Sequence, residues 1–518
     1  MHQKLQALAA AKGISCLANI SHGIEKESLR VDPEGHLALS VHPQSLGSAL
    51  THPCITTDFS EAQLEFITPV YHQPADSLRC LEEIHTWTYM QMSREELLWT
   101  SSMPCIIGED HEIPLAYYGS SNIGQLKTLY RKGLGYRYGR TMQTISGIHY
   151  NFSVCDDFWQ LFRDQREPGS ELQDFKTRQY LALIRNFRRH SWLLLYLFGA
   201  SPALCKSFVS SNHEHGLEEF DEHSLYAPFG TSLRMGDLGY TSEAQRDLYI
   251  SYNTLEEYAQ GLLDAIQIPY APYDNFHTED GSPAQLSTSI LQIENEFYST
   301  VRPKRVTSGG IRPVRMLREK GVEYVEVRLL DLNPFLAVGI DEEQMRFLNA
   351  FLLFCLLRES PPGNRDEDNE IHANLQAVVR QGRDPALDLQ CQGESVKLRG
   401  WAAAALREVQ QVATLLDQVS NTSVHVAATA AQEAKVDDAA LTPSARVLQR
   451  MRELKTGYFR FAMNQSLANS DYFRAKSLSA ERLEEFRKMT TQSVSDQQTM
   501  EAADILGFPA YLAQINNS

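Results

Sequence analysis

Gly23-Ile24-Glu25-Lys26-Glu27-Ser28-Leu29-Arg30-Val31 sets two carboxylates two residues apart in a segment that closes on Leu29 and Val31. Side chains two apart on an extended strand leave the same face, so Glu25 and Glu27 point together into one volume. Like charges held close are unfavourable unless something positive lies between them. Hard oxygen ligands of this kind suit Mg²⁺ or Mn²⁺. Taken alone, the stretch reads equally well as a solvated strand face carrying two acids.

The pattern recurs. His149 and Asn151 stand two apart in Ile148-His149-Tyr150-Asn151-Phe152, and Glu326 and Arg328 do so within Val322 to Leu330. Asp58 and Glu65 flank a short polar stretch ahead of Phe66-Ile67. Polar residues alternating with apolar ones across several strands predict an antiparallel sheet with one buried face and one working face. A working face of Glu, Asp, His and Asn is a multi-metal, oxygen-rich site, suited to phosphates.

Composition narrows the function classes. The 518 residues allow one very large domain or a few ordinary ones, with 43% hydrophobic and 22% charged residues in an ordinary globular balance. A formal net charge of −17 argues against a nucleic-acid or anionic-membrane surface. The eight cysteines are scattered without a CxxC pair, which argues against a zinc knuckle or a thioredoxin-like motif. The apolar run Leu5 to Ala11 is bracketed by Lys4 and Lys12 and is too short for a secretory signal. Trp192 to Cys205 is broken by Gly199-Ala200-Ser201-Pro202 and falls short of the ~20 residues that a membrane-spanning helix needs. These features predict a reduced, cytoplasmic, soluble chain with no membrane partner.

Along the chain, residues 1–20 read as a short helix ending at Gly13, and Asp32-Pro33-Glu34-Gly35 as a turn joining Glu25–Val31 to His36–Ser40 in a hairpin or near-hairpin. Helices are predicted over 74–99 and 252–266 from apolar residues at helical spacing, over 171–198 as one or two, amphipathic and then largely apolar, and over 342–357 from its richness in apolar residues. Residues 119–124 read as a loop and Ile290–Tyr298 as a strand. The polar run 359–370 is the clearest loop or boundary. It suggests a catalytic part, 1–370, and a mainly helical part, 371–518, or one continuous domain. In the latter, Ala405, Val409, Val412, Leu416 and Val419 share a helix face, and Ala480–Met489 and Thr499–Leu506 read as two further short helices.

The segment 302–320 holds Arg302, Lys304, Arg305, Arg312, Arg315, Arg318 and Lys320 against Glu319 alone, a local +6 in a chain of −17. It reads as a phosphate clamp made mobile by Gly309-Gly310, with a solvated basic loop as the alternative. Acids for metals and a basic loop for phosphates together describe an ATP site. No GxxxxGK[ST] is present, and Gly133 to Gly139 has the wrong spacing for a dinucleotide fingerprint. His213-Glu214-His215 lies in a polar loop and reads as solvated, and no GxSxG or kinase signature appears.

The stretches Gly23–Val31, Leu46–His52, Ile55–Glu61 with Leu64–Pro69, Met142–Phe152, Tyr196–Ala203, Leu291–Glu296, Arg302–Val306 and Tyr324–Arg328 resemble glutamate–cysteine ligase (γ-glutamylcysteine synthetase) of the γ-proteobacterial type. The resemblance is nearly continuous from about 20 to 357 and returns at Ser444–Leu448 and Gln498–Asp504. It is looser at Gly309–Pro313 and over 359–400, which leaves the detail of the nucleotide loop open. The resemblance implies an α+β fold related to glutamine synthetase and the guanidino kinases, a curved antiparallel sheet forming a funnel wrapped by helices. It implies ATP-dependent joining of the L-glutamate γ-carboxylate to the amine of L-cysteine through an acyl phosphate, the first step of glutathione synthesis. It also implies a monomer inhibited by glutathione.

Carried over motif by motif, the resemblance makes Glu25, Glu27, Asp58, Glu65, His149 and Glu326 the ligands of two or three Mg²⁺ or Mn²⁺ ions. Arg328 and the basic loop, Arg305 in particular, would contact the transferred or leaving phosphate, and Asn151 and Gln143 would place nucleotide or glutamate. Arg234, with Arg131 as a second candidate, would bind a substrate carboxylate. Phe59, Tyr130, Leu134, Tyr240 and Tyr298 would form the slot for the cysteine side chain. The nearest rival is a ligase of the same fold with another amine acceptor, such as ammonia, against which the slot argues. A phosphotransferase and a catalytically dead nucleotide-binding regulator are further alternatives, the latter opposed by the intact ligand set.

Overall fold

The alternation that begins at Gly23 forms the central strand of a sheet. The computed structural model describes residues 14–104, 106–209, 215–238, 243–306 and 312–516. Its strands in chain order are β1 (Ser21–Val31), β2 (Ile55–Thr57), β3 (Gln63–Ile67), β4 (Leu97–Leu98), β5 (Ile148–Ser153), β6 (Ala203–Cys205), β7 (Glu218–Asp221), β8 (Ser224–Tyr226), β9 (Val301–Lys304), β10 (Tyr324–Leu330), β11 (Asp388–Cys391) and β12 (Glu394–Lys397). Seven of them make one sheet in the order β2-β3-β1-β5-β10-β9, with β4 paired to the far end of β1. Every pairing in that sheet is antiparallel.

The apolar side of the sheet is closed by helices. The helices used below are α1 (Pro74–Gln91), α2 (Asn122–Tyr138), α3 (Leu172–Phe198), α4 (Glu342–Leu357), α5 (Leu398–Ser420), α6 (Ala480–Ala503) and α7 (Phe508–Asn516). Helix α4 is buried almost all round, from Gln344 to Leu357, because it is apolar on every side and sits between other helices. It packs on α1, α3 and α5, while α3 lies on β9 and β10 and α1 on β1 and β3. Ile24, Phe66, Tyr150, Val325 and Val327 are fully buried, and one continuous hydrophobic cluster runs from Leu17 to Phe486. The carboxyl-terminal helices share that core with the sheet, and residue 370 lies inside a helix, Arg365–Gln381.

Several sequence-based expectations change here. The polar run 359–370 is loop only as far as Asn364. That side chain accepts from the Glu367 amide and, with Asp366, Glu367 and Asp368 in the first turn, starts a helix. The helix expected over 74–99 ends at Gln91, and Leu97–Leu98 pair with Arg30 and Val31. Residues 480–503 form one helix, since no glycine or proline separates the two predicted ones. Ile290–Tyr298 is not a strand; it contains the short 3₁₀ turn Glu294–Glu296. Asn122, expected in a loop, already begins α2, with Ser121 as its cap. The expected helix over 1–20 lies outside the described residues up to 13, and Ile14–Asn19 is 3₁₀. The Asp32–Gly35 turn is present, with Gly35 at φ 85° and Asp32 N donating to His36 O.

Six cysteines among the described residues are free thiols, whereas Cys205 is disulfide-bonded, so the all-reduced expectation fails at that residue. Among the described residues no helix is long and apolar enough to cross a membrane.

The packing makes a direct stability prediction. Leu352, fully buried in α4, should cost about 2–5 kcal/mol when truncated to Ala and lower the thermal midpoint. A midpoint unchanged in calorimetry would mean that α4 does not carry the core.

Candidate active site

Register assembles the polar row. Across β1 and β5, Glu25 stands opposite His149; across β1 and β3, Glu27 stands opposite Glu65; across β5 and β10, Asn151 stands opposite Glu326. Directly opposed residues share a face, and residues two apart on one strand share it too. Two-residue periodicity and three registers therefore place Glu25, Glu27, Glu65, His149, Asn151 and Glu326 on one side of the sheet. The intervening residues go the other way: Lys26 Nζ lies 2.9 Å from Ser28 Oγ and 2.8 Å from His85 Nε2, all buried. Asp58 follows β2, where its amide donates to Gln63 O and closes the turn into β3.

The acids are not equivalent. Glu326 meets Lys304 Nζ at 3.1 Å and Arg328 Nη1 at 3.1 Å. Burial opposes its ionisation, but Lys304 and Arg328 hold its carboxyl well below the usual range. Burial also opposes the Glu25 anion, yet the group is lowered overall, with His149 Nδ1 3.1 Å from Oε2 and Asn151 Nδ2 donating to Oε1 at 2.9 Å. At the other end the balance reverses. Burial, then the charges of Glu25, Asp58 and Glu27, push Glu65 well above the usual carboxylate range. Burial and then Asp58 raise Glu27, although Gly147 N donates to its Oε2 at 2.7 Å. Negative charge is matched around Glu326 and in excess around Glu65, Glu27 and Asp58.

That excess calls for a cation, and the donors can hold one. Glu25, Glu65 and His149 each offer a ligand atom, and these atoms lie within 4.8 Å of one another. Two carboxylate oxygens and an imidazole suit Mn²⁺ or Mg²⁺, with Glu27 and Asp58 on the same wall.

The row floors a cavity of about 430 Å³. One wall is α2, which presents Lys127, Tyr130, Arg131 and Leu134 at i, i+3, i+4 and i+7 of one helix face. Arg302, Lys304 and Arg328 extend the sheet-borne row, and Arg234, Ile293, Asn295, Glu296 and Tyr298 also line the cavity. Arg234 Nη2 donates to Arg328 O at 3.0 Å, which ties the two cationic residues together. Glu296 is fixed from behind by Arg137 at 2.8 Å, both side chains being fully buried, and accepts from Gln292 N at 2.6 Å.

The family model for glutamate–cysteine ligase matches residues 5–378. The chain belongs to the glutamate–cysteine ligase family. It is 50% identical over 516 residues to the glutamate–cysteine ligase of Pseudomonas aeruginosa, covering 99% of this chain and 97% of that one. It is 48% identical over 513 residues to that of Pseudomonas fluorescens, covering 99% and 96%. The crystal structure of the glutamate–cysteine ligase of Francisella tularensis in complex with AMP superimposes with a TM-score of 0.90 at 36% identity, covering 96% of this chain and 98% of that one.

Of the residues that the family resemblance singles out, Glu25, Glu27, Asp58, Phe59, Glu65, Tyr130, Arg131, Leu134, Gln143, His149, Arg234, Tyr298, Glu326 and Arg328 line the cavity together. Asn151 is one step behind, on Glu25. Arg305 is turned away: its Nη1 donates to the carbonyls of Lys320 and Gly321 at the end of the helix Pro313–Lys320. Tyr240, Gly309-Gly310 and His213-Glu214 lie outside the described residues, while His215 Nδ1 accepts from Leu217 N. Of the basic segment, Arg302 and Lys304 reach the cavity. Arg315 pairs with Glu319 at 2.8 Å, Arg318 with Glu256 at 2.5 Å, and Arg312 Nη2 donates to Ile515 O at 2.9 Å. Arg302 and Lys304, both in the basic segment read as a phosphate clamp, stand two apart on β9. Lys127, one helical turn before Tyr130 and Arg131, was not among the expected site residues.

Replacing Glu65 by Gln should remove the repulsion while keeping the shape. The metal-free variant should be more stable than the parent by on the order of 1 kcal/mol. Its thermal midpoint should also rise less on adding Mn²⁺. A destabilised variant with an unchanged Mn²⁺ increment would contradict the charge balance described above.

Proposed function

We propose that this cavity joins the γ-carboxylate of L-glutamate to the amine of L-cysteine at the expense of ATP, giving γ-glutamylcysteine, ADP and phosphate, the entry step to glutathione. The observation that carries the reading is the pairing, over one 430 Å³ cavity, of an acid-and-imidazole row with a row of arginine and lysine, in a chain of this family. ATP transfers its γ-phosphoryl group to a carboxylate oxygen; the amine then attacks the carbonyl carbon, the carbon–oxygen bond to phosphate breaks, and the nitrogen releases a proton. Both steps gather negative charge at one point, and electrostatic stabilisation lowers both barriers.

Glu25, Glu65 and His149, with Glu27, Asp58 and Glu326, would hold two or three Mg²⁺ or Mn²⁺ ions, which when bound neutralise phosphate oxygens. Arg328, Lys304 and Arg302 point at the same space and stabilise the transferring phosphoryl group; the phosphate role expected of Arg305 falls to them. Arg234 takes a substrate carboxylate, with Arg131 as the second candidate, braced by the carbonyls of Asp58 and Lys127. Gln143 and Asn151 help to place nucleotide and glutamate. Phe59, Tyr130, Leu134 and Tyr298 form an aromatic slot for the small thiol side chain, and such a slot discriminates one methyl group by ~1–3 kcal/mol.

The same reading takes the sheet as a curved funnel of the glutamine-synthetase and guanidino-kinase kind, working as a cytoplasmic monomer. Glutathione, which carries glutamyl and cysteinyl groups together, should occupy both subsites and inhibit.

ADP release by the purified protein with Mg²⁺-ATP and glutamate tests the reading. Release should require cysteine or its isostere 2-aminobutyrate, with ammonia inert. Glu27→Gln should lower turnover by about a hundredfold or more. Release with ammonia alone would replace the acceptor, and nucleotide binding without release for any amine would leave a regulator.

A further inference from the structure

The motif Gln498-Thr499-Met500-Glu501-Ala502-Ala503-Asp504 lines no part of the cavity among the described residues, yet it is bonded to the helix that forms the cavity wall. Glu501 Oε1 accepts from Ser120 N at 2.8 Å, and Asp504 Oδ2 accepts from Asn122 N at 2.5 Å. Asn122, itself buried, donates from Nδ2 to Leu506 O at 2.9 Å. The Asp504 bond meets the first amide of α2, which a helix leaves without an internal partner, and the Glu501 bond holds Ser120 just ahead of the cap; both set carboxylates where the helix dipole favours them. Ser121 caps the same helix by accepting from Gly124 N.

The contact is close along its length. Gly47 and Gly119 take φ values of 88° and 85° and lie flush under α6. A Cβ on Gly47 would fall 2.4 Å from Ser493 Oγ, and one on Gly119 would fall 2.1 Å from Gln497 Nε2. Ser48 N donates to Ser493 Oγ at 3.0 Å, and α7 packs on α2 beyond. Tyr118, just before the seat, donates to the carbonyls of Thr57 and Asp58 at 2.7 and 3.0 Å, and its ring lies 4.6 Å from the Arg131 guanidinium carbon. From the seat, α2 carries Lys127, Tyr130, Arg131 and Leu134 into the cavity.

We propose that Glu501 and Asp504 are positioning residues for the amine-substrate side of the cavity, acting through the amides of Ser120 and Asn122 on the pitch and register of α2. This rests on the reading of Tyr130 and Leu134 as part of the cysteine slot. A helix wall shifted by a fraction of an ångström loosens the slot before it disturbs the cation row, which stands on the sheet.

The test uses the full chain. Asp504→Ala, Asp504→Asn and Glu501→Gln are compared with Glu484→Gln, a surface change on the same helix, by steady-state kinetics and by amide hydrogen exchange. Asp504→Ala should raise KM for cysteine about three- to tenfold with kcat changed less than about twofold, and should speed exchange along α2. Asp504→Asn, whose amide oxygen still accepts from Asn122, should recover most of the loss. Unchanged α2 exchange and unchanged KM in Asp504→Ala and Glu501→Gln would overturn the proposal. So would a fall in kcat for all substrates in step with the thermal midpoint, the mark of a merely structural contact. Faster α2 exchange with a raised KM for glutamate instead of cysteine would support the positioning role while removing the slot assignment on which the amine side depends.

Discussion

The structure depends on carboxylates that repel one another and cannot separate. Backbone pairing sets Glu27 against Glu65 and Glu25 against His149, and the side-chain period of two turns each toward the same space. A shift of β1 by one residue would send Lys26 and Ser28 into the cavity and bury both glutamates, so the buried side of the strand enforces the working side. Lys26 shows how firmly: it is buried with Ser28 and His85, and burial pulls its ammonium down to about 7.

Electrostatic balance then divides the cavity by function. Around Glu326 the protein supplies its own counter-charge in Lys304 and Arg328. Around Glu65 it supplies less than the acids require, and Glu65 is pushed toward its neutral form. A cation admitted there relieves a repulsion already present, so binding and charge balance are coupled. Arg302, Lys304 and Arg328 continue the row at the other end of the sheet, beside Glu326, so that both signs of charge line one cavity. Helices α3 and α4, apolar and deeply buried, keep the sheet from relaxing under that repulsion.

Much of this was legible in the chain because it rests on short-range rules. Glu25/Glu27, His149/Asn151 and Glu326/Arg328 announce themselves by spacing two, and the apolar run 342–357 matches α4 to the residue. What was not legible depended on tertiary partners. Ile290–Tyr298 alternates like a strand, yet Arg137 captures Glu296 and turns the backbone. Arg305 sits in a basic run beside Lys304, but the end of the following helix offers it carbonyls and draws it off the cavity. The link between Asp504 and Asn122, across 382 positions, has no local signal at all.

The face bearing Glu25, Glu65 and His149 offers the ligand atoms for a divalent cation. Anomalous diffraction from crystals equilibrated with Mn²⁺ tests this most directly. A manganese peak should stand in contact with those three side chains and be lost in Glu65→Gln. Well-ordered crystals with ADP in the cavity and no manganese at that face would contradict it.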